Sequence, residues 1–252
     1  MSTAIDYKRS IYAIRDLPTL PAVAQKVLSL ADDDTAGLEK LAEIISRDQT
    51  LSARVLSLAN SAYYGHRAKI STIQRAMVVI GMNMLKQISF SVIVCATIGK
   101  AGKDRAHFWK HSLATAMAAS IIAKRTGIKD ADVCFMAGLL HDIGRMILET
   151  HFPAQTELDH AEVGGWAAER WQLPPQLVEA IAHHHSLKPE HLSQPIVACV
   201  HAANLCAEVA LSSEGPDAPP ELLQAVKLSQ LDFDEVTAEL RRRRPQIESF
   251  VA

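Results

Sequence analysis

The stretch Gly138-Leu139-Leu140-His141-Asp142-Ile143-Gly144-Arg145 decides how this chain is to be read. It sets an imidazole and a carboxylate side by side inside an otherwise apolar run, and proteins offer these two side chains most often to zinc, iron and manganese. Outside it, His111, His160, His184 and His185 complete a set of six ligands of the type and order that a buried metal cluster needs.

The bounds of the chain restrict what such a cluster could serve. At 252 residues there is room for one large domain or two modest lobes, each burying its own core. Lys and Arg number 26 against 28 Asp and Glu, a formal charge of -2, so there is no general attraction toward nucleic acid or an acidic membrane. A small molecule or a protein partner fits better. Cys95, Cys134, Cys199 and Cys206 are scattered in apolar segments without a C-x-x-C pair, and read as buried thiols in a reducing compartment. The opening MSTAIDYKRS lacks an apolar signal core, and the greasiest run, 88–99, is interrupted and short. The expectation is a cytoplasmic protein without a membrane anchor.

Periodicity points to helix almost throughout. Leu51, Val55 and Leu58 recur at i, i+4 and i+7, and Leu38, Leu41 and Ile45 form a similar stripe one helix earlier. Pro21 suits a first turn, Asp48 can cap the helix carrying Leu51, Ser71 with Gln74 has capping-box spacing, Gly65 and Gly81 sit where helices could end, and Pro174-Pro175 opens another. HFWKHSLATAMAASIIAKRTG and ADVCFMAGLLHDIGRMILETH each read as a core helix, giving an all-α protein. The polar stretch Gly99 to Asp104 separates an N-terminal helical lobe, 1–103, from a C-terminal lobe, 104–252, that holds all six candidate ligands; the two form a single domain. Ser212 to Pro220 reads as an exposed turn before a final helical pair, and Arg241 to Arg244 as a solvated helix end before Pro245. Trp109, Trp166 and Trp171 read as core, and Tyr63-Tyr64-Gly65 as a helix-ending turn. With no Gly-rich phosphate loop, Ser-His-Asp order or activated Cys in view, nucleophilic catalysis is set aside.

WKHSLATA with His111, GLLHDIG with His141 and Asp142, and the later helix around Asn204 resemble the HD superfamily of metal-dependent phosphohydrolases. LPTLPAVAQKVLSLADDD, IISRDQTLSARVLSLANSAYYG and ISTIQRAMVVIGMNML follow one another as in the HDOD family, the HD-related output domain of bacterial signalling proteins, and that similarity covers nearly the whole chain. It implies a two-lobed helical fold whose C-terminal lobe is HD-like. It also implies a metal centre at His111, His141 and Asp142, with a fourth place filled in the family by Asp and here by Asn204. An amide oxygen can coordinate but brings no charge; His201, one turn earlier on the same face, is the other residue that could complete the centre. His160, His184 and His185 correspond to extra ligands of the HD-GYP phosphodiesterase branch, and His107 to the place of a further acidic ligand. Their plainer readings are a helix-start residue, imidazoles at a helix's negative end, and a surface histidine. Implied cofactors are divalent Fe, Mn, Zn or Ni, or none if the centre is vestigial.

Two departures bear on turnover. The loop SLKPEHLSQP lacks the Gly-Tyr-Pro signature, and the lysine that follows HDIG in active relatives is Arg145, a phosphate contact if the protein is active. The resemblance therefore implies a non-catalytic regulatory module acting through a signalling protein partner; the charge balance and short apolar runs lead to the expectation of no nucleic-acid or membrane partner. The alternative is a metal-dependent phosphohydrolase acting on a nucleotide or cyclic dinucleotide.

Overall fold

In the computed structural model, residues 20–30, 35–60, 70–98, 105–152, 158–212 and 216–251 are described, and every regular element among them is an α-helix. The N-terminal helices are α1 (Ala22–Leu28), α2 (Thr35–Arg47), α3 (Gln49–Ala59), α4 (Ile73–Ile80) and α5 (Met82–Ile98). Asp48 caps α3 as its sequence position suggests, its Oδ1 accepting from Leu51 N–H at 2.9 Å. The cap of α4 falls one residue later than the Ser71–Gln74 spacing predicts: Thr72 is extended and accepts from Arg75 N–H at 3.3 Å. Pro21 is likewise the N-cap of α1, just outside the first turn. Gly81 ends α4 with φ +86, which a residue bearing Cβ resists. The chain turns there through 115° into α5, and no single described helix is long and apolar enough to cross a membrane.

The C-terminal lobe is built on two helices buried on nearly all sides, α6 (Arg105–Thr126) and α12 (Pro195–Leu211). Small residues, Ala, Ser and Thr in α6 and Ala and Cys in α12, let neighbours approach closely all round, and the four cysteines are buried as expected. Gly127, at φ +73, ends α6 with the Ile128 N–H bonded back to Ala123 O at 2.9 Å.

The run from Ala131 to His151 is two helices rather than one: α7 (Ala131–Leu140) and α8 (Ile143–His151), broken at His141-Asp142. Asp142 occupies the N-cap position of α8 but makes no capping bond, because its carboxylate is turned toward imidazoles instead. Next come α9 (His160–Arg170), α10 (Pro175–His183) and the short α11 (Pro189–Leu192). After α12 the chain ends in three helices, not a pair: α13 (Pro220–Val226), α14 (Gln230–Arg242) and α15 (Arg244–Val251). Pro245 is the reason, since proline fits a first turn and so starts α15 instead of only closing α14. Arg243 pairs with Glu239 and Arg244 with Glu248, consistent with a solvated helix end. Trp109 and Trp171 are buried and Trp166 packs half-buried against the core. Tyr63-Tyr64-Gly65, the Gly99–Asp104 boundary and residues 213–215 of the second break lie outside the described residues.

The N-terminal helices reach the candidate site through α5, which packs on both α7 and α8, the helices flanking His141-Asp142. The Arg54 guanidinium of α3 stands 4.4 Å above the Trp109 ring, two residues before His111.

Candidate metal centre

All six predicted ligands converge around one carboxylate. His111 comes from the second turn of α6, His141 and Asp142 from the α7–α8 turn, His160 from the first residue of α9, and His184-His185 from just past the end of α10. The contacts fall into two sets. Asp142 Oδ2 lies 3.7 Å from His111 Nε2 and 3.5 Å from His141 Nε2. Its Oδ1 lies 3.2 Å from His160 Nε2 and 3.6 Å from His184 Nε2, with His185 in the same group. One carboxylate thus presents a different oxygen to each of two imidazole groups.

Local structure explains why the rings point inward. His141 Nδ1 donates to Gly138 O at 2.8 Å and His184 Nδ1 donates to Ile181 O at 2.8 Å, each back to the carbonyl three residues earlier. Those bonds fix the tautomer, leaving the Nε2 lone pair facing the centre. Asp159 Oδ1 caps α9 by accepting from Ala161 N–H at 2.8 Å, and so sets the direction of His160, which is indeed a helix-start residue. Glycines bring the helices close enough. A Cβ on Gly144 would lie 1.9 Å from His160 O, one on Gly164 2.9 Å from Ile181 Cγ2, and one on Gly165 2.6 Å from Ala182 Cβ. Without these glycines α8, α9 and α10 could not approach closely enough to bring His160 and His184 to Asp142.

The donor set fits divalent metal. Nε2–Nε2 separations are 3.2 Å for His111–His141, 3.3 Å for His160–His184 and 3.2 Å for His160–His185. Two nitrogens bound to one ion at about 2.1 Å stand roughly 3.0–3.4 Å apart for tetrahedral to octahedral angles. Burial holds the His111 and His141 pKa values down, well down for His141, and His185 is lowered to about 3, again chiefly by burial, so these rings are neutral at pH 7. Burial pushes Asp142 up, but the imidazoles of His141, His160 and His184 and the Arg145 guanidinium around it outweigh burial and hold its carboxyl well below the usual carboxylate range. Arg145 Nε donates to Asp142 Oδ1 at 2.9 Å, with half of the arginine side chain in solvent.

Asn204 is buried on α12 beside His111; its Nδ2 donates to Glu208 Oε1 at 3.0 Å and its Oδ1 has no hydrogen-bond partner. His201 is placed elsewhere. It is bonded through the Ser186 backbone and meets His185 ring to ring at 6.4 Å, and it belongs to neither ligand group. His107 is exposed on α6 and also lies outside both groups. Sequence reading missed Glu208 and Gly144; the signals available were the i+4 spacing from Asn204 and the glycine after the His-Asp pair.

The HDOD domain model matches residues 17–158 and the HD domain model residues 108–232. The chain belongs to the HDOD family. An HDOD domain protein of unknown function from Geobacter sulfurreducens is 27% identical with a TM-score of 0.73, over 98% of this chain and 96% of that one. A provisionally assigned phosphohydrolase from Shewanella amazonensis SB2B, 24% identical, has the same fold at a TM-score of 0.76, over 96% of this chain and 97% of that one. Among curated proteins, an uncharacterized protein of Treponema pallidum is 26% identical over 91% of this chain and 48% of its own length. Ribonuclease Y of Thermus thermophilus is 37% identical over 46% of this chain and 18% of its own length. The chain therefore spans about half or less of the curated relatives it matches.

Proposed function

We propose that this HDOD chain is a signal-transduction module with a two-metal centre in its HD lobe, held by His111, His141, Asp142 and Asn204 on one side and by Asp142, His160, His184 and His185 on the other. The observation that carries the reading is Asp142, whose two oxygens face two separate imidazole groups. The centre acts by setting how the two lobes meet, and a signalling protein reads that surface. Support for this role is the packing of α5 on both helices that flank the His141-Asp142 turn. Elemental analysis of untagged protein purified without added metal tests the centre: about two divalent ions per chain are expected, and none from Asp142→Ala. A stoichiometry near zero for the wild type overturns it.

The same site supports a second reading, hydrolysis of a phosphoester in a nucleotide or cyclic dinucleotide. Its support is the open side of the centre, where Arg145 and His185 meet solvent, and the likeness of just under half of the chain to proteins called ribonuclease Y. Bound dications would supply an acidified water and offset phosphoryl charge. The histidines and Asp142 would hold the ions, and Arg145 would meet the phosphate. Manganese- or iron-loaded protein assayed on cyclic dinucleotides and a simple phosphodiester, with His141→Ala as control, separates the readings. Equal traces from both proteins favour the regulatory role; hydrolysis lost in the variant favours the enzyme.

A further inference from the structure

At position 204 the chain carries an amide where the family resemblance leads one to expect a carboxylate. Asn204 is 1% exposed, and its buried Oδ1 makes no hydrogen bond of good geometry, only a contact with the His111 imidazole, so it stays unsatisfied unless something else engages the oxygen. The other end of the amide is committed, Nδ2 donating to Glu208 Oε1 at 3.0 Å. Glu208 sits one turn further along the same face of α12. A carboxylate only accepts, so chemistry dictates which way the amide is turned: the NH2 group faces Glu208 and the oxygen faces away from it. The ligand in contact with Asn204 is His111, and Glu208 is near enough to His111 to interact with it through its charge.

We infer that Glu208 is a positioning residue of the metal centre. It turns the Asn204 oxygen toward the His111–His141 half as a neutral ligand, and it supplies behind that ligand the negative charge that an aspartate would carry itself. The inference rests on the metal-centre reading above and adds to it a residue acting through another. A neutral oxygen alone attracts a dication weakly, whereas an amide polarised by a carboxylate partner adds that partner's negative charge at one amide's remove from the ion. Outer carboxylates that orient ligands in this way affect metal affinity about 10- to 100-fold.

The test measures binding of manganese and zinc to the full chain, by calorimetry and chelator competition, in two backgrounds. With Asn204 present, Glu208→Leu weakens one of the two ions by about tenfold or more and leaves the other unchanged. Glu208→Gln, which keeps an acceptor for Nδ2 but not the charge, weakens the same ion by less. In the Asn204→Asp background the sign reverses. Glu208 there faces a second carboxylate, so Glu208→Gln or Glu208→Leu leaves the ion equally tight or tighter. A merely structural role for Glu208 predicts the same loss in both backgrounds, and that result overturns the inference, as does wild-type affinity in both single variants. Should Glu208→Leu fail to fold, the isosteric Glu208→Gln measured in the two backgrounds carries the same test of sign. A wild type that binds no ion overturns the metal-centre reading and this inference with it; a wild type that binds two ions, unaffected by Glu208, overturns this inference alone.

Discussion

The two halves of the centre share Asp142 and are otherwise built differently. The His111–His141 half lies among α6, α7 and α12, with His141 fully buried and Asn204 and Glu208 behind it. The His160–His184–His185 half is assembled from the ends of α9 and α10, touches solvent at His160 and His185, and has Arg145 on its Asp142 oxygen. The first is positioned by helices of the core with one tight approach, where a Cβ on Gly138 would lie 2.9 Å from Ala116 Cα; the second depends on close approaches at three glycines. A burial-built site should resist single changes that leave its ligands in place; a site assembled at helix ends should fail when the helices are pushed apart.

The largest effect should come from the shared element. Asp142→Ala removes an oxygen from each half and is expected to take bound metal from about two ions per chain to none by elemental analysis; retention of one ion would show that a half stands without the bridge. Next is Gly144→Ala. Its methyl would meet His160 O at 1.9 Å and Gly164 N at 2.6 Å, both backbone, so α9 must move. Such overpacking costs about 1–3 kcal/mol in denaturant unfolding, and His160 moves with its helix. The expected result is loss of the ion on the open half alone, with the His111–His141 ion kept. Arg145→Gln works in the opposite direction. It removes a cation from Asp142 Oδ1, and because the arginine is half in solvent the gain in open-half metal affinity should be about three- to tenfold by calorimetry, with the buried half unchanged.

The difference between the halves also governs what the sequence made legible. Helical periodicity and caps such as Asp48 and Gly81 depend on residues within one turn, so the all-helical class and several helix ends can be read directly. The break at His141-Asp142 could not be, because no local breaker marks it: the run is apolar and free of proline, and the helix is interrupted where a carboxylate serves partners from α6, α9 and α10 instead of a cap. Likewise the choice between His201 and Asn204 rests on which side chain reaches His111. Both lie on one helical face, and only the packing of α12 against α6 places Asn204 there and His201 beside Ser186 and His185. The types and order of the ligands were written in the chain; their convergence depends on Gly138, Gly144, Gly164 and Gly165, whose close approaches are properties of pairs of helices.

His201 gives the smallest expected effect and tests the open half from behind. Burial lowers its pKa to about 4, against about 6.5 in an unfolded chain. Because the folded value is the lower one, the unfolded chain takes up a proton first as pH falls through 6.5, and the folded state loses stability until pH approaches 4. Between pH 7 and pH 5, after discounting for the ring's remaining solvent access, metal-free protein should lose about 1 kcal/mol from this residue in denaturant unfolding. His201→Asn should lessen that acid sensitivity. If the pH dependence is the same in the variant, the ring is not buried neutral beside His185, and the open half is wetter on its inner side than the packing of α12 implies.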